Sequence, residues 1–286
     1  MENKHIYFEI TATEKIIAKA LFEFKIDIFD SLNYEFLGSL KTIYDSGGKR
    51  MAISNDSKII FVASYYVGVI AYEIKTNQII WKNLKLKSIQ NVQVSNNGLY
   101  IYIITESKVF YIIESATGVL VSKVKGINNF FKSDNENLIL IRKNIAYLKI
   151  INETEKQLLI TENGILNVDS SFKETIIAEI HKPLVMIENS SGNKIWESEL
   201  KPGFRINYLK KISDNLISIV AQYAIPSEDE NYMFLLDYKT GKILEKTQLS
   251  AEYFTFCYSK DGSKIYCSNI DVYDTINFKK IYPLDI

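Results

Sequence analysis

Apolar residues recur along this chain in short bursts, many of them β-branched or aromatic, and small clusters of Ser, Asn, Asp and Gly separate the bursts. Few stretches hold the i, i+3, i+4 spacing by which a helix buries one face. ATEKIIAKALFEF, near the start, is the best helical candidate, yet its place in the pattern assigns it to a strand. One form of burst ends in an acidic residue, turns through Thr-Gly or a similar pair, and returns as a second apolar run. It reads LLDYKTGKILEK at 235–246, AYEIKTNQIIWK at 71–82, YIIESATGVLVS at 111–122 and VMIENSSGNKIWE at 185–197. Worn copies stand at 27–38 (DIFDSLNYEFLG) and 271–282 (DVYDTINFKKIY), and only an outline survives at 148–160. Anchored on Asp30, Glu73, Glu114, Asn152, Glu188, Asp237 and Asp274, the copies lie 36–49 residues apart. That is the period of propeller blades rather than of leucine-rich or helical arrays.

A second form precedes the first in most copies: an apolar run, a Ser with a small polar turn, and another apolar run. Examples are MAISNDSKIIFVAS (51–64), VQVSNNGLYIYII (92–104), FFKSDNENLILI (130–141), YLKKISDNLISIV (208–220) and TFCYSKDGSKIYCS (255–268). Asn, Asp and Gly supply tight turns and the flanking runs supply strands, so each is a hairpin. The two forms joined give four strands per unit, a to d in chain order. Units of about 41 residues fill the 286-residue chain. One four-stranded sheet cannot bury both faces, so the units must pack on one another, and radial closure removes long exposed edges. The expected fold is all-β: a seven-bladed β-propeller of four-stranded antiparallel blades, one domain over 1–286, with HIYFEI as the inner strand of unit one. Six blades is the competing count. An N-terminal strand completing the last blade as a clasp would shift the boundaries without changing the number.

The acidic residue, Thr-Gly turn and returning IW or IL resemble the repeats of quinoprotein dehydrogenases and their non-catalytic propeller relatives. Asp237, Thr240, Gly241 and Lys242 carry the likeness in one unit, and Trp81 and Trp196 close two others. The SNDSKIIFVAS and SKDGSKIYCS hairpins look more like surface-layer and WD-repeat propellers. The resemblance spans the chain and implies a fold far more strongly than a function. A quinoprotein enzyme would imply export, adjacent cysteines, calcium ligands and an acidic base around a bound quinone. This sequence has no Cys-Cys pair, and most of its units lack Trp. Trp81 and Trp196, at equivalent places in strand d, are expected to pack blade against blade rather than stack on a cofactor.

Composition narrows the classes. The 34 basic and 34 acidic side chains cancel, which argues against the broad positive field of a non-specific nucleic-acid binder and leaves a local basic patch open. The N-terminus lacks an apolar stretch of signal-peptide length, so a cytoplasmic protein is expected. The longest uncharged run, IIFVASYYVGVIAY at 59–72, is too short to span a bilayer and reads as two buried strands around a Tyr-Tyr turn. Cys257 and Cys267 are expected to stay reduced on neighbouring strands. Two isolated histidines, His5 and His181, rule out a His-rich zinc site, and no P-loop, dinucleotide or nucleophile-serine spacing occurs. No catalytic residue, metal or cofactor is therefore assigned.

What remains is surface. The b–c and d–a loops of a propeller gather on one face, and on it fall Tyr65 and Tyr66, Arg142, His181, Arg205 and the acidic run Glu228, Asp229 and Glu230 in AIPSEDENY (224–232). These are the candidate partner contacts, Tyr as an interface anchor and the acidic loop as a steering charge. The expected function is a non-enzymatic protein-binding propeller, most specifically a bacterial immunity protein that neutralises a cognate toxin. The alternatives are a scaffold of a larger assembly, or a carbohydrate- or small-molecule-binding propeller, conceivably a hydrolase. The last would use inner strands carrying Asp169, Arg205 and Tyr253.

Overall fold

We describe a computed structural model of the chain over residues 7–21, 25–43, 50–132, 138–143, 145–149, 156–160, 165–170, 173–179, 182–200, 203–225, 228–249, 255–267 and 271–283. Seven four-stranded antiparallel sheets follow one another in chain order, each meandering from strand a to strand d. Blade 1 comprises Tyr7–Ala12, Ile16–Leu21, Lys25–Asp30 and Phe36–Lys41. Blade 2 comprises Arg50–Ile53, Ile59–Ser64, Gly68–Glu73 and Ile79–Asn83. Blade 3 comprises Ile89–Val94, Tyr100–Thr105, Val109–Glu114 and Leu120–Lys125. Blade 4 comprises Asn129–Lys132, Leu138–Arg142, Ile145–Lys149 and Lys156–Ile160. Blade 5 comprises Ile165–Ser170, Glu174–Glu179, Leu184–Glu188 and Lys194–Glu197. Blade 6 comprises Phe204–Lys211, Leu216–Ile225, Glu228–Asp237 and Ile243–Leu249. Blade 7 comprises Phe256–Tyr258, Lys264–Cys267, Asp271–Asp274 and Lys280–Pro283.

The chain is a seven-bladed β-propeller. The strand expected at HIYFEI is the inner strand of blade 1 and pairs with the next strand of its own blade, Ile10 opposite Lys19. All four strands of blade 7 come from the C-terminal segment. Among the described residues the ring therefore closes by packing, without a strand clasp.

Strands b and c read as nearly continuous apolar runs because both of their faces are covered. In Ile59–Ser64, Ile60 and Val62 join a cluster with Ala18, Ile26 and Ile28 of blade 1, and Phe61 and Ala63 join one with Val92, Ile101 and Ile103 of blade 3. Period-two alternation thus sends successive side chains into opposite neighbours. The hydrophobic core is seven wedges, one per blade-to-blade seam. Strand d is the outer edge and exposes most of its residues, as in Leu120–Lys125. Among the described residues there is no helix, and so none long and apolar enough to cross a membrane.

The acidic anchors end strand c. Asp237 Oδ1 accepts from the Thr240 hydroxyl at 2.7 Å and from its backbone N–H at 2.8 Å, and the Thr240 hydroxyl bond holds this carboxyl below its usual range. Glu188 accepts from Ser191 at 2.6 Å, and Glu114 accepts from Thr117. Four residues after each anchor the backbone is left-handed: Tyr34, Asn77, Gly118, Gly192, Gly241 and Phe278 have φ between 55° and 75°. A register shift interrupts every c–d pair, six of the seven just before the anchor, so the repeat carries a conserved-in-shape bulge as well as a turn. The seventh anchor, Asn152, lies outside the described residues.

The two tryptophans pack blade against blade, as expected. Trp81 covers the turn of blade 3, its indole N–H donating to Ser115 O at 2.9 Å, and a β-carbon on Gly118 would lie 2.6 Å from its ring. Trp196 repeats this on blade 6, donating to Tyr238 O at 2.8 Å over Gly241. The cysteines sit on adjacent strands of blade 7 with Cys257 opposite Tyr266 and Cys267 opposite Phe256. They are one step out of register, so strand alternation sends them into different seams, Cys267 towards blade 6 and Cys257 towards blade 1.

Candidate functional site

Up-and-down strand order puts the b–c turns and the d–a linkers on one face of the ring. On that face the connections of blades 2, 3 and 4 are tied into one arc by backbone hydrogen bonds. Ser88 in the linker after blade 2 donates to Tyr65 O at 2.7 Å and accepts from Glu106 N–H at 2.9 Å. Ile127 N–H in the next linker donates to Lys108 O at 3.0 Å, and Asn128 N–H donates to Ile141 O at 2.7 Å. The Asn128 side chain then accepts from Lys143 N–H at 3.0 Å. Ser88, Lys108 and Lys143 hold left-handed φ of 53–60°, which lets such short connections reverse direction. The arc is set by backbone geometry before any partner arrives.

Tyr65 and Tyr66 lie at the turn between the buried strands of blade 2, where the Tyr-Tyr turn was expected. Their rings meet edge to face at 4.9 Å. The Tyr65 hydroxyl donates to the Glu106 carboxylate, and that bond raises its pKa above the usual tyrosine range. Lys87 Nζ donates to Tyr66 O at 2.7 Å from the neighbouring linker. Tyr66 itself remains 70% exposed. Arg142 is the last residue of its strand rather than a loop residue, half-buried with its guanidinium 5.0 Å from the Tyr147 ring centre. These contacts place Tyr65, Tyr66 and Arg142 on one arc.

The other candidates do not join them. Arg205 was expected in the linker KPGFR but lies within the inner strand of blade 6, opposite Gln222. His181 lies outside the described residues. The acidic run was expected in a long loop, and the backbone places Glu228, Asp229 and Glu230 in a strand, opposite Ile225, Ala224 and Tyr223. The backbone of AQYAI (221–225) pairs with that of the acidic segment, so the extra length of unit six extends a hairpin instead of loosening a loop. Strands b and c of blade 6 have ten residues each, against four to six in the other blades.

Sequence reasoning missed the lysines of the arc. Lys85, Lys87, Lys108, Lys125 and Lys143 are all exposed there. They come from four separate connections, so the balanced total of charges concealed them. LKLKS at 84–88 was the one local signal.

Inner-strand polar groups bond to neighbouring blades. Asp169, expected to face a channel ligand, accepts from the Lys211 backbone N–H. Asn167 donates to Asn207 O at 2.8 Å and Lys132 Nζ to Val94 O at 2.7 Å. Tyr253 lies outside the described residues. Among the described residues no group of three or more His, Cys, Asp or Glu is placed to hold a metal ion. A shallow open cleft of about 250 Å³ on blade 5 is lined by Glu179, Lys182, Val185, Ile187, Lys194 and Glu197, and it falls below the range of pockets that enclose a small ligand.

No known family's sequence profile matches the chain, and no curated protein matches it. Solved structures do. The structure of U3-55K superposes with a TM-score of 0.73 at 12% identity, over 93% of this chain and 89% of that one. The WD40 repeats of RRP9 give 0.72 at 11% identity, over 93% and 88%. Hydrazine synthase of Kuenenia stuttgartiensis gives 0.72 at 12% identity, over 96% and 97%. At these identities the likeness establishes the propeller and nothing finer, and it joins WD40 repeats to a protein named as a synthase.

Proposed function

We propose that this chain is a non-enzymatic protein-binding propeller and, in its sharpest form, a bacterial immunity protein that binds and neutralises a cognate toxin. The observation that carries the binding reading is the hydrogen-bonded arc of blades 2–4, with the 70%-exposed Tyr66 projecting from it. A surface fixed before contact loses little conformational freedom on association, and an exposed Tyr held by neighbours is a ready anchor. The likeness to WD40 repeats supports a role as an interaction platform. The immunity reading adds that a propeller with no assigned chemistry suits a task that needs tight association alone.

Affinity capture by the tagged chain from its source cells, washed at high salt, tests the binding reading. One stoichiometric protein retained is the expected result, and a chain recovered bare would overturn it. Co-expression with the captured protein tests immunity: growth arrest by that protein, relieved by this chain, is expected. Capture of a harmless protein would leave a scaffold in its place.

A further inference from the structure

We infer that the arc across blades 2–4 docks an acidic segment of a protein partner; this deepens the protein-binding reading and rests on it. Among the described residues, the connections that build the arc and the strand ends beside them carry Lys85, Lys87, Lys108, Lys125, Arg142 and Lys143 against a single carboxylate, Glu106. In a chain whose charges cancel, that is a concentrated field of one sign. Glu106 is already engaged by the Tyr65 hydroxyl. No carboxylate among the described residues forms an ion pair with Lys85, Lys108, Lys125 or Lys143. They share this with exposed lysines such as Lys75 and Lys279, whereas some exposed lysines elsewhere do find partners. Lys58 lies 3.6 Å from Asp56, Lys194 lies 2.8 Å from Glu197, and Lys260 lies 3.2 Å from Glu14. Ammonium groups left without internal carboxylates beside an exposed aromatic ring are complementary to carboxylates alternating with apolar residues, and they steer such a partner from a distance.

The same surface favours an acidic protein over a nucleic acid. The edge-to-face pair of Tyr65 and Tyr66, inclined at 75°, offers no parallel stack of rings for successive bases. Lysines are compact point charges, suited to single carboxylates.

The test compares the intact chain, the triple variant Lys85→Glu, Lys108→Glu, Lys125→Glu, the variant Tyr66→Ala and a control with Lys239→Glu and Lys242→Glu on the opposite face. Thermal unfolding first establishes that each variant keeps the propeller, since all these side chains are exposed. In the cell-capture experiment, a protein retained by the intact chain and the control but lost by the triple variant supports the acidic-segment surface. A protein retained by all of them overturns that surface and leaves the protein-binding reading standing. If nothing is retained, fluorescence anisotropy with Asp- and Glu-rich peptides, Lys-rich peptides and oligo-dT of matched length decides the surface by itself. Preference for the acidic peptides, weakened about tenfold or more by the triple variant and measurably by Tyr66→Ala, is the expected result. Equal binding of acidic and basic peptides, tighter binding of oligo-dT, or acidic binding that survives the reversal overturns the inference.

Discussion

Neighbouring seams of this ring can be filled in two opposite ways. Where blade 5 meets blade 6, the preceding blade supplies the ring: Trp196 lies over the left-handed Gly241 of the next blade. Where blade 6 meets blade 7, the turn supplies its own: Phe278 occupies the left-handed position and is buried with Leu235 and Leu249 of blade 6. The strand-d residue that corresponds to Trp196 is there Glu245. Blade 1 follows the second pattern, with Tyr34 at φ 64° packed against Tyr266 and Val272 of blade 7. In these three seams one large ring sits at the turn, and either partner can provide it. What differs is the cost, because an aromatic residue held left-handed bears strain of order 1–2 kcal/mol that glycine does not.

The largest effects should come from the seam that depends on Trp196. Trp196→Ala removes a ring that is 8% exposed, together with its hydrogen bond, and should lower stability by about 3–5 kcal/mol in urea unfolding. Gly241→Ala should cost about 2–4 kcal/mol, because the new methyl would meet the Trp196 ring and the backbone there is left-handed. The double variant should cost clearly less than the two singles added, since removing the ring removes the collision. Additive losses would mean that Gly241 and Trp196 act separately.

Phe278 turns the comparison round. Phe278→Ala should cost about 3 kcal/mol through the lost ring. Phe278→Gly should be less damaging than Phe278→Ala by about 1 kcal/mol, the reverse of the order in an ordinary strand or helix. If Ala were the milder replacement, the left-handed backbone would not be a constraint in this seam.

This comparison also explains how far the sequence could be read. Blade count and strand order were legible because the anchors and Ser-turn hairpins depend on local chemistry: a carboxylate capping a turn, a hydroxyl closing one. Units one and seven looked worn because Tyr34 and Phe278 stand where Gly118 and Gly241 stand elsewhere, and Asn33 and Asn277 where Thr117 and Thr240 do, although the backbone is left-handed at the same position. The arc across blades 2–4 was legible only in part. Tyr65 and Tyr66 are adjacent in sequence and were found. The lysines come together through closure of the ring, which no local pattern reports. The acidic run misled because charge in a sequence does not distinguish a loop from a paired hairpin.

A smaller effect should mark the seam between blades 7 and 1. Lys19 is 1% exposed, and burial lowers its pKa from 10.5 to about 7, with Cys267 and Asp271 pulling the other way. Its ammonium lies 5.6 Å from the Phe29 ring centre, and Asp271 is also bridged by Lys280 at 2.6 Å. Below about pH 7 both the folded and the unfolded chain hold the Lys19 proton, so the burial penalty is fully felt. Between about 7 and 10.5 only the unfolded chain holds it, so stability rises with pH there, by at most about 1.4 kcal/mol per unit. Burial raises the Cys267 thiol, which opposes this once the unfolded thiol begins to ionise near 8.5. Urea unfolding should thus show a gain from pH 7 to 8.5 that Lys19→Met flattens. An unchanged slope in that variant would place the titration elsewhere.

The smallest effect expected at this seam is the most visible contact in it. Glu14 of blade 1 and Lys260 of blade 7 meet at 3.2 Å across the junction of the first and last blades, which invites the view that this pair locks the ring. Both side chains are about 70% exposed, so solvent and salt screen the attraction while each side chain loses freedom to make it. Glu14→Gln should therefore change stability by less than about 0.5 kcal/mol, and that little should vanish at high salt. Ile10, Ile17, Phe29, Tyr34, Tyr266 and Val272, buried together beneath the pair, carry the closure instead. A loss above about 1 kcal/mol that persists in high salt would show the reverse, that closure between blades 7 and 1 depends on charge rather than on buried rings.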